Sequence, residues 1–585
     1  MRSIILLIFL LNSSFLFSQK IYGVIKDENN QPLAYTSVVL KGTSKGVTAN
    51  NKGAYSFSLT SGKYFLLFQH IGYEAVEKEI DLNEDIELNI ILKKQNLLLK
   101  ELVIKSGSEN PAYEIIRQAI KKRNLYNNEV NSFECDLYSK DLIKLRKLPN
   151  KIMGKKVPED DRESMGLDSS GKGIIYLSEG LSKVYKQKPD KFKMEVKSSR
   201  VSGSKAAGFT FPTFINLYSN NVSIFDGGGS SRGYVSPIAD GAIRYYKFKM
   251  LGTYQESGKM VYSIKVTPRR NFEPLFTGVI NITDEDYRIQ SFDLTLTKNS
   301  QLDFLDTLKI SQLHVPVGND NWMVKDQLIF FNFKMLGIDA IGSFLTVFSN
   351  YEANKIFSKK FFDRTIIKYD STANKKPINY WDTIRPVKLE SEEVRDYKLK
   401  DSMLAVRSDS LSGYNNIDTL KKKQGKLKLY KVLYSNMNRN HYSKKNPFEW
   451  GLESLVENIN YNTAEGIVTQ LGGYVEDDIL HNEIKMFIQP NIRYGVSNGH
   501  LNSWVDLSFR QNKSGDQSKR RGGVLFLSGG KKVAQYNSEN PVEPLFNSFS
   551  TLLDGLNIMK TYEKVYGGIA YRKRFESGFS FQKCF

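Results

Sequence analysis

Along most of this 585-residue chain, apolar residues recur at every second position, in short runs broken by Gly, Asn, Ser and Pro. A period of two turns one face of a strand toward an apolar environment and the other face away from it. That pattern commits the chain to β-structure before any motif is considered. The stretch QPLAYTSVVLKGTSKGVTANNKGAYSFSL, residues 31–59, is a clear case. Val38 and Leu40 alternate with more polar neighbours, as do Tyr55, Phe57 and Leu59. Between them lie Gly42, Gly46 and the run Asn50-Asn51-Lys52-Gly53, residues that accept positive φ in tight turns. Tyr64, Leu66 and Phe68 continue the alternation, then Val76 to Ile80, then Ile86, Leu88, Ile90 and Leu92. Turns spaced by about 8–12 residues suggest a small β-sandwich. Another all-β module of the same size meets these signals too.

Residues 20–93 resemble the carboxypeptidase-regulatory-like domain, a transthyretin-like sandwich, through VIKDENNQPLAYTSVVLKGTSKGVTANNKGAYSFSL and FQHIGYEAVEKEI. Pro32, Gly42, Gly46, Gly53 and the Gly72-Tyr73 pair fall where that pattern wants them. The resemblance implies a structural or binding appendage without catalytic residues. A zinc carboxypeptidase would also need clustered His and Glu ligands around an open metal position. The five histidines, His70, His314, His441, His481 and His500, are scattered, and none opens an H-x-x-E or H-E-x-x-H run. His481-Asn482-Glu483 comes nearest, but no cysteine pair follows it. The sequence therefore offers no catalytic, cofactor-binding or metal-ligating residue, and no cofactor is expected.

Residues 1–19 combine Arg2, an apolar run from Ile4 to Leu11 and small residues before a polar break, the pattern of a secretory signal peptide cleaved near Ser18-Gln19. No cysteine lies near that point, which argues against a lipid anchor there. No apolar run elsewhere is long enough for a transmembrane helix. With only Cys135 and Cys584, the chain is not a disulfide scaffold. The formal net charge of +20 would suit nucleic acid, anionic lipid or acidic glycan. No helix-turn-helix, zinc finger or RNP-like run appears, and the basic residues are dispersed, so nucleic acid is not expected as a partner.

In ENPAYEIIRQAIKKRNLYNN, Ile115, Ile116, Ala119 and Ile120 share a helical face, with Asn110 as N-cap before Pro111. Residues 133–350 then read as a large antiparallel sheet with one face covered by that helix or by a lipid-like ligand. A hairpin turns at Glu256-Ser257-Gly258, with Tyr262, Ile264 and Val266 on one face. Val279 to Ile282, then Phe292, Leu294 and Leu296, continue the pattern. Gly227, Gly228, Gly229 and Arg232 could cradle a phosphate, but the Gly-Lys-Ser/Thr of a P-loop is missing, and a plain loop before the Pro237 turn fits better. Asp284, Glu285 and Asp286 read as solvated charge at a turn. From 361 to 445 the composition turns charged; a helix after Pro386 carries acidic residues early and basic ones late. This connector reads equally as a solvated linker or as a segment lying on an anionic surface.

In NEIKMFIQPNIRYGVSN, Ile484, Met486, Ile488, Ile492, Tyr494 and Val496 fall on one face, and Lys485, Gln489, Asn491 and Arg493 on the other. Strands of about ten residues, apolar outward and polar inward, suit a transmembrane barrel wall. A water-soluble sandwich predicts the same alternation, but the Tyr and Phe at strand ends favour the barrel. Residues around Glu576-Ser577-Gly578 add another strand pair. The whole chain resembles a Gram-negative envelope family of unknown function, with signal peptide, regulatory-like sandwich, β-rich middle and outer-membrane β-barrel. NPAYEIIRQAIKKRN, YWDTIRPVKLESEEVRDYKLKDS, YNTAEGI and MKTYEKVYGGIAYRKRF carry that resemblance. Such proteins continue through more strands than the roughly five counted here after 463, whereas a closed barrel takes at least about eight. The expectation is a chain cut short inside its barrel. Phe585, with Phe581 and Phe579 behind it, would serve the contrary reading of a terminal aromatic.

The expected organisation is mainly β: 1–19 signal peptide, 20–94 sandwich, 95–132 connector with helix, 133–360 antiparallel domain, 361–445 charged linker with helix, and 446–585 the start of a barrel. The function this favours is a non-enzymatic outer-membrane protein supporting envelope assembly or uptake. Its partners would be outer-membrane lipid and a periplasmic or outer-membrane protein. Phe330, Phe331, Phe333 and Phe344 in the middle sheet weakly resemble half-barrel lipoprotein carriers that shelter acyl chains, which makes a periplasmic lipid carrier the alternative. A secreted hydrolase stands third.

Overall fold

The computed structural model describes residues 19–98, 109–152, 155–157, 159–204, 208, 214–224, 233–256, 258–300, 302, 305–318, 321–335, 337–358, 360–362, 366–412, 424, 432, 436–442, 448–456, 458–479, 484–511, 523–536, 541–574 and 580–584. Residues 1–18 of the expected signal peptide, the loop with Gly227, Gly228, Gly229 and Arg232, and His481-Asn482-Glu483 lie outside them. So do Ser257, the Glu576-Ser577-Gly578 turn, Phe579 and Phe585. The chain divides into two compact units, Met1–Val406 and Arg407–Phe585.

Unit one opens with a sandwich of two four-stranded sheets. Gln19–Asp27 pairs antiparallel with Ala54–Leu59 and parallel with Ile86–Glu87 and Ile90–Leu92. Ser37–Leu40 and Gly62–Gln69 form the heart of the second sheet. The alternation read from the sequence is what fills the space between them: Val38, Tyr55, Phe57, Leu59, Leu66, Phe68, Ile90 and Leu92 are buried in one cluster. Gly53 holds φ at +71°, and a Cβ there would meet the Ile25 carbonyl at 2.3 Å, so this turn needs glycine.

The second part of unit one is an eleven-stranded sheet. Seven strands from Tyr246–Glu256 to Ile338–Ala353 follow one another as hairpins, and the last pairs back onto Ser132–Lys147. The first of these hairpins closes between Glu256 and Lys259. Gly173–Gln187, Lys191–Val201 and Ile367–Tyr369 complete the sheet, the last pair parallel. One face carries the apolar core: Ile264, Val266, Phe292, Leu294, Leu296, Leu308 and Ile310 are buried in one cluster with the helix Ala112–Glu129. Asn110 caps that helix, accepting the Ala112 N–H at 3.0 Å. Ile115, Ile116 and Ala119 are its buried face, as the spacing requires.

The stretch 361–445 holds more structure than its composition suggests. Helix Ser391–Ser412 packs on the opposite face of the sheet, where Lys140 meets Glu393 at 2.9 Å with both side chains buried. Beside it Arg385 donates to Glu179 at 2.6 and 3.0 Å, and Tyr138 donates to the same carboxylate at 2.7 Å. Burial with matched partners makes these charges interior, although their residue types read as solvated in the sequence. At the Asp284-Glu285-Asp286 turn Glu285 is exposed, as solvated charge would be, while Tyr262 donates to Asp284 at 2.7 Å and Lys259 pairs with Asp286 at 2.9 Å.

Unit two is a nine-stranded antiparallel sheet. Its path runs from Met437–His441 through Gly466–Ile479, Ile484–Gly495, Leu501–Gln511, Val524–Gln535 and Thr561–Arg574 to Ser580–Cys584. Among the described residues this sheet is open, and no closed barrel is found. The strand Met437–His441 begins before the expected boundary at 446, because its five residues, MNRNH, show no apolar alternation. Helix Pro544–Asp554 lies against Ile459–Asn462, with Ser548 accepting the Tyr461 N–H at 2.7 Å. None of the described helices is long and apolar enough to cross a membrane.

Candidate functional site

The apolar face of the eleven-stranded sheet is not filled completely. A cavity of about 180 Å³ lies between the sheet, the C-terminal end of helix Ala112–Glu129 and the segment 214–218. Its wall is aromatic. Phe133 meets Tyr351 at 5.7 Å, Phe214 meets Phe348 at 5.9 Å, and Tyr126 meets Tyr218 at 5.9 Å between ring centroids.

Local chemistry fixes that wall. Gln312 and Gln327 stand side by side on neighbouring strands, at positions where the alternation Leu308, Ile310 turns inward. Gln312 donates to the Ile215 carbonyl at 2.9 Å and to Gln327 at 2.6 Å, and the Ile215 N–H donates to Gln327 at 3.3 Å. These bonds pin the 214–218 segment onto the sheet. Arg123 reaches from the helix to Asp240 and to the Tyr218 carbonyl, while Arg288 holds Glu129 through two nitrogens at 2.5 and 2.7 Å. The helix is thus latched at both sides of the cavity by charge-assisted bonds.

Two polar atoms of this lining are buried without a partner: His314 Nδ1 and Trp322 Nε1. His314 is 9% exposed. Burial pushes its imidazole down to about 4, with a hydrogen bond to the Gln290 main chain acting the other way. The ring is neutral at pH 7, and with the Gln290 contact taken by its other nitrogen, Nδ1 is left as an acceptor. Lys186 lies near the rim with its ammonium 5.1 Å from the Phe214 ring centroid; it has no ion pair among the described residues. Burial lowers its pKa. Lys188 beside it donates to the Asn127 carbonyl.

None of these residues was marked as a site in the sequence. In the sequence His314 stands out only as one of five scattered histidines, and among the described residues no group of three His, Cys, Asp or Glu could hold a metal ion. His441 stacks on Phe448 at 4.8 Å and His500 meets Glu563 at 2.7 Å, each apart from the others. The usable signal was in the register: Gln312 and His314 continue an inward apolar series with polar residues. Phe331 and Phe344, 5.3 Å apart, do line the apolar face, while Phe330 is one residue out of that register.

A multidomain, mainly β chain with a sandwich, a half-enclosed sheet and a separate strand wall is the class so defined. Residues 115–351 match a family of unknown function (DUF5686), residues 414–584 match that family's C-terminal domain, and residues 21–104 match a CarboxypepD_reg-like domain. The chain belongs to the DUF5686 family and carries a CarboxypepD_reg-like domain at its N-terminal end. TonB-dependent receptor P39 from Formosa agariphila is 30% identical over 97 residues, 17% of this chain and 9% of the receptor, so the chain spans under a tenth of that relative's length. Among solved structures, a domain assigned to outer membrane lipoprotein sorting from Vibrio parahaemolyticus is 12% identical; the match covers 43% of this chain and 97% of that one, at a TM-score of 0.20. A LolA superfamily protein from Nitrosomonas europaea is 9% identical, with coverages of 43% and 97% and a TM-score of 0.18.

Proposed function

We propose that this chain is a non-enzymatic protein of the cell envelope that binds a small anionic amphiphile in unit one and is held in the outer membrane by unit two. The observation that carries the binding role is the aromatic cavity with an unpaired lysine near its rim. Size decides what it takes. A cavity of about 180 Å³ is close to the roughly 150 Å³ that accommodates a benzene ring. One ring or one short chain fits; a diacyl lipid does not, which narrows the carrier reading to single-chain ligands. The apolar wall supplies affinity, and Lys186 supplies orientation. The reading is non-enzymatic because the one carboxylate of the lining, Glu129, is held by Arg288.

Location rests on unit two. Ile492, Tyr494 and Val496 are exposed, while Asn491 and Arg493, alternating with them, are buried. In water that arrangement is inverted; against lipid it is the expected one. The test is Trp322 fluorescence of the purified full chain in amphipol, titrated with octanoate and with a diacyl phosphatidylglycerol. Saturable quenching by octanoate alone, absent in Trp322→Phe, is expected. A flat octanoate titration would end the binding reading.

A further inference from the structure

Within that cavity, His314 and Trp322 form a pair. His314 lies opposite Val324, and Trp322 lies opposite Pro316, in the antiparallel hairpin of Thr307–Val317 with Asn321–Met335. Residues two apart on a strand share a face, so the two side chains are diagonal neighbours on the cavity side. One is an acceptor without a donor and the other a donor without an acceptor. Leaving either buried and unmatched is costly. Phe292, 6.4 Å from the His314 ring, and Phe348 contribute no polar atom to satisfy them.

We infer that the cavity selects a hydroxylated ligand: a short apolar chain with an anionic end near Lys186 and a hydroxyl that donates to His314 Nδ1 and accepts from Trp322 Nε1. A hydroxyl is the smallest group that does both at once, and it needs no charge inside the apolar wall. An acid without it would leave both protein atoms unmatched, which is the condition under which a polar site discriminates strongly against an analogue. This inference rests on the amphiphile-binding reading above. It adds which amphiphile.

The test compares octanoate with each of its monohydroxy isomers on the full chain, by calorimetric titration at pH 7. At least one isomer, the one whose hydroxyl reaches the pair, is expected to bind on the order of tenfold more tightly than octanoate. That preference should collapse toward unity in His314→Phe and, separately, in Trp322→Phe. The second variant keeps a ring and spares the Gln290 contact, so it decides the matter if the first fails to fold. Octanoate and all isomers binding alike would overturn the hydroxyl inference while leaving the binding reading intact; water would then be the partner of the pair. A preference that survives both variants would overturn it as well. If no acid binds, the binding reading itself fails, and this inference goes with it.

Discussion

The two large sheets of this chain are built from the same alternation and hide opposite residues. In unit one, Phe292, Leu294 and Leu296 are fully buried, while the alternating Ser291 and Asp293 are matched on neighbouring strands, by Asn281 at 2.8 Å and Lys309 at 2.8 Å. In unit two, Ile492, Tyr494 and Val496 are 50%, 43% and 56% exposed, and Arg493 is tucked in against Glu465 at 3.0 and 2.5 Å. A period of two states which residues share a face. It does not state which medium that face meets. The membrane location proposed for unit two would account for the difference: in water the apolar face must find a core, while in lipid the polar face must find partners.

The sharpest way to break the comparison is at Arg493. If the inner face of unit two is a true interior, Arg493→Met strands a buried Glu465 carboxylate and should cost about 3–5 kcal/mol. The exposed pair of Lys41 with Glu77, with side chains 57% and 40% exposed, is the control; Lys41→Met should cost under about 1 kcal/mol. Urea unfolding of the purified chain, with a probe in each unit, reads both. Equal small effects would place Arg493 in water and dissolve the contrast.

Next in size is the pH response of the unit-one interior. His314 has a folded-state value of about 4 against 6.5 when free, so between those values the unfolded chain takes up a proton that the folded chain refuses. Its contribution is complete above pH 6.5 and is lost as pH falls toward 4, by about 3 kcal/mol in all. The Asp141 carboxyl, raised to about 7 by burial, acts in the opposite sense, favouring the fold at low pH. The difference between wild type and His314→Phe across pH 4–7 isolates the histidine. An unchanged difference across that window would mean that His314 is solvated.

A charge placed on each outer face separates the sheets further. Ile492→Lys should lower recovery in outer membranes and destabilise the inserted chain by on the order of 2 kcal/mol, depending on depth. On unit one, Lys249→Glu changes an exposed position and should stay within about 0.5 kcal/mol. The smallest effect is at the cavity rim. Lys186→Gln removes one partly screened attraction, and octanoate binding should weaken by about fivefold, or about 1 kcal/mol.

Much of the fold was legible because alternation and turn chemistry are local. The sandwich strands, the capped helix at Asn110 and the hairpin between Glu256 and Lys259 all follow from residues near one another in sequence. The site was not legible, for a physical reason. The hairpin of His314 and Trp322, the strand of Lys186 and the segment of Phe214 are three stretches far apart in sequence, and only the strand order and the bonds of Gln312 and Gln327 to Ile215 bring them around one space. The charged cluster of Glu179, Arg385 and Tyr138 was misleading in the same way, since each residue is polar alone and satisfied only by the others.

The opposite facing of the two sheets is tested most directly by nitroxide labels and power-saturation spectroscopy of the chain in bilayers. One label goes at Ile492→Cys and one at Lys249→Cys, each with Cys584→Ser; Cys135 is buried and escapes labelling. The account predicts that oxygen dissolved in the lipid relaxes the label at position 492 more than a water-soluble nickel complex does, and that the order reverses at position 249. Nickel winning at both positions would contradict it.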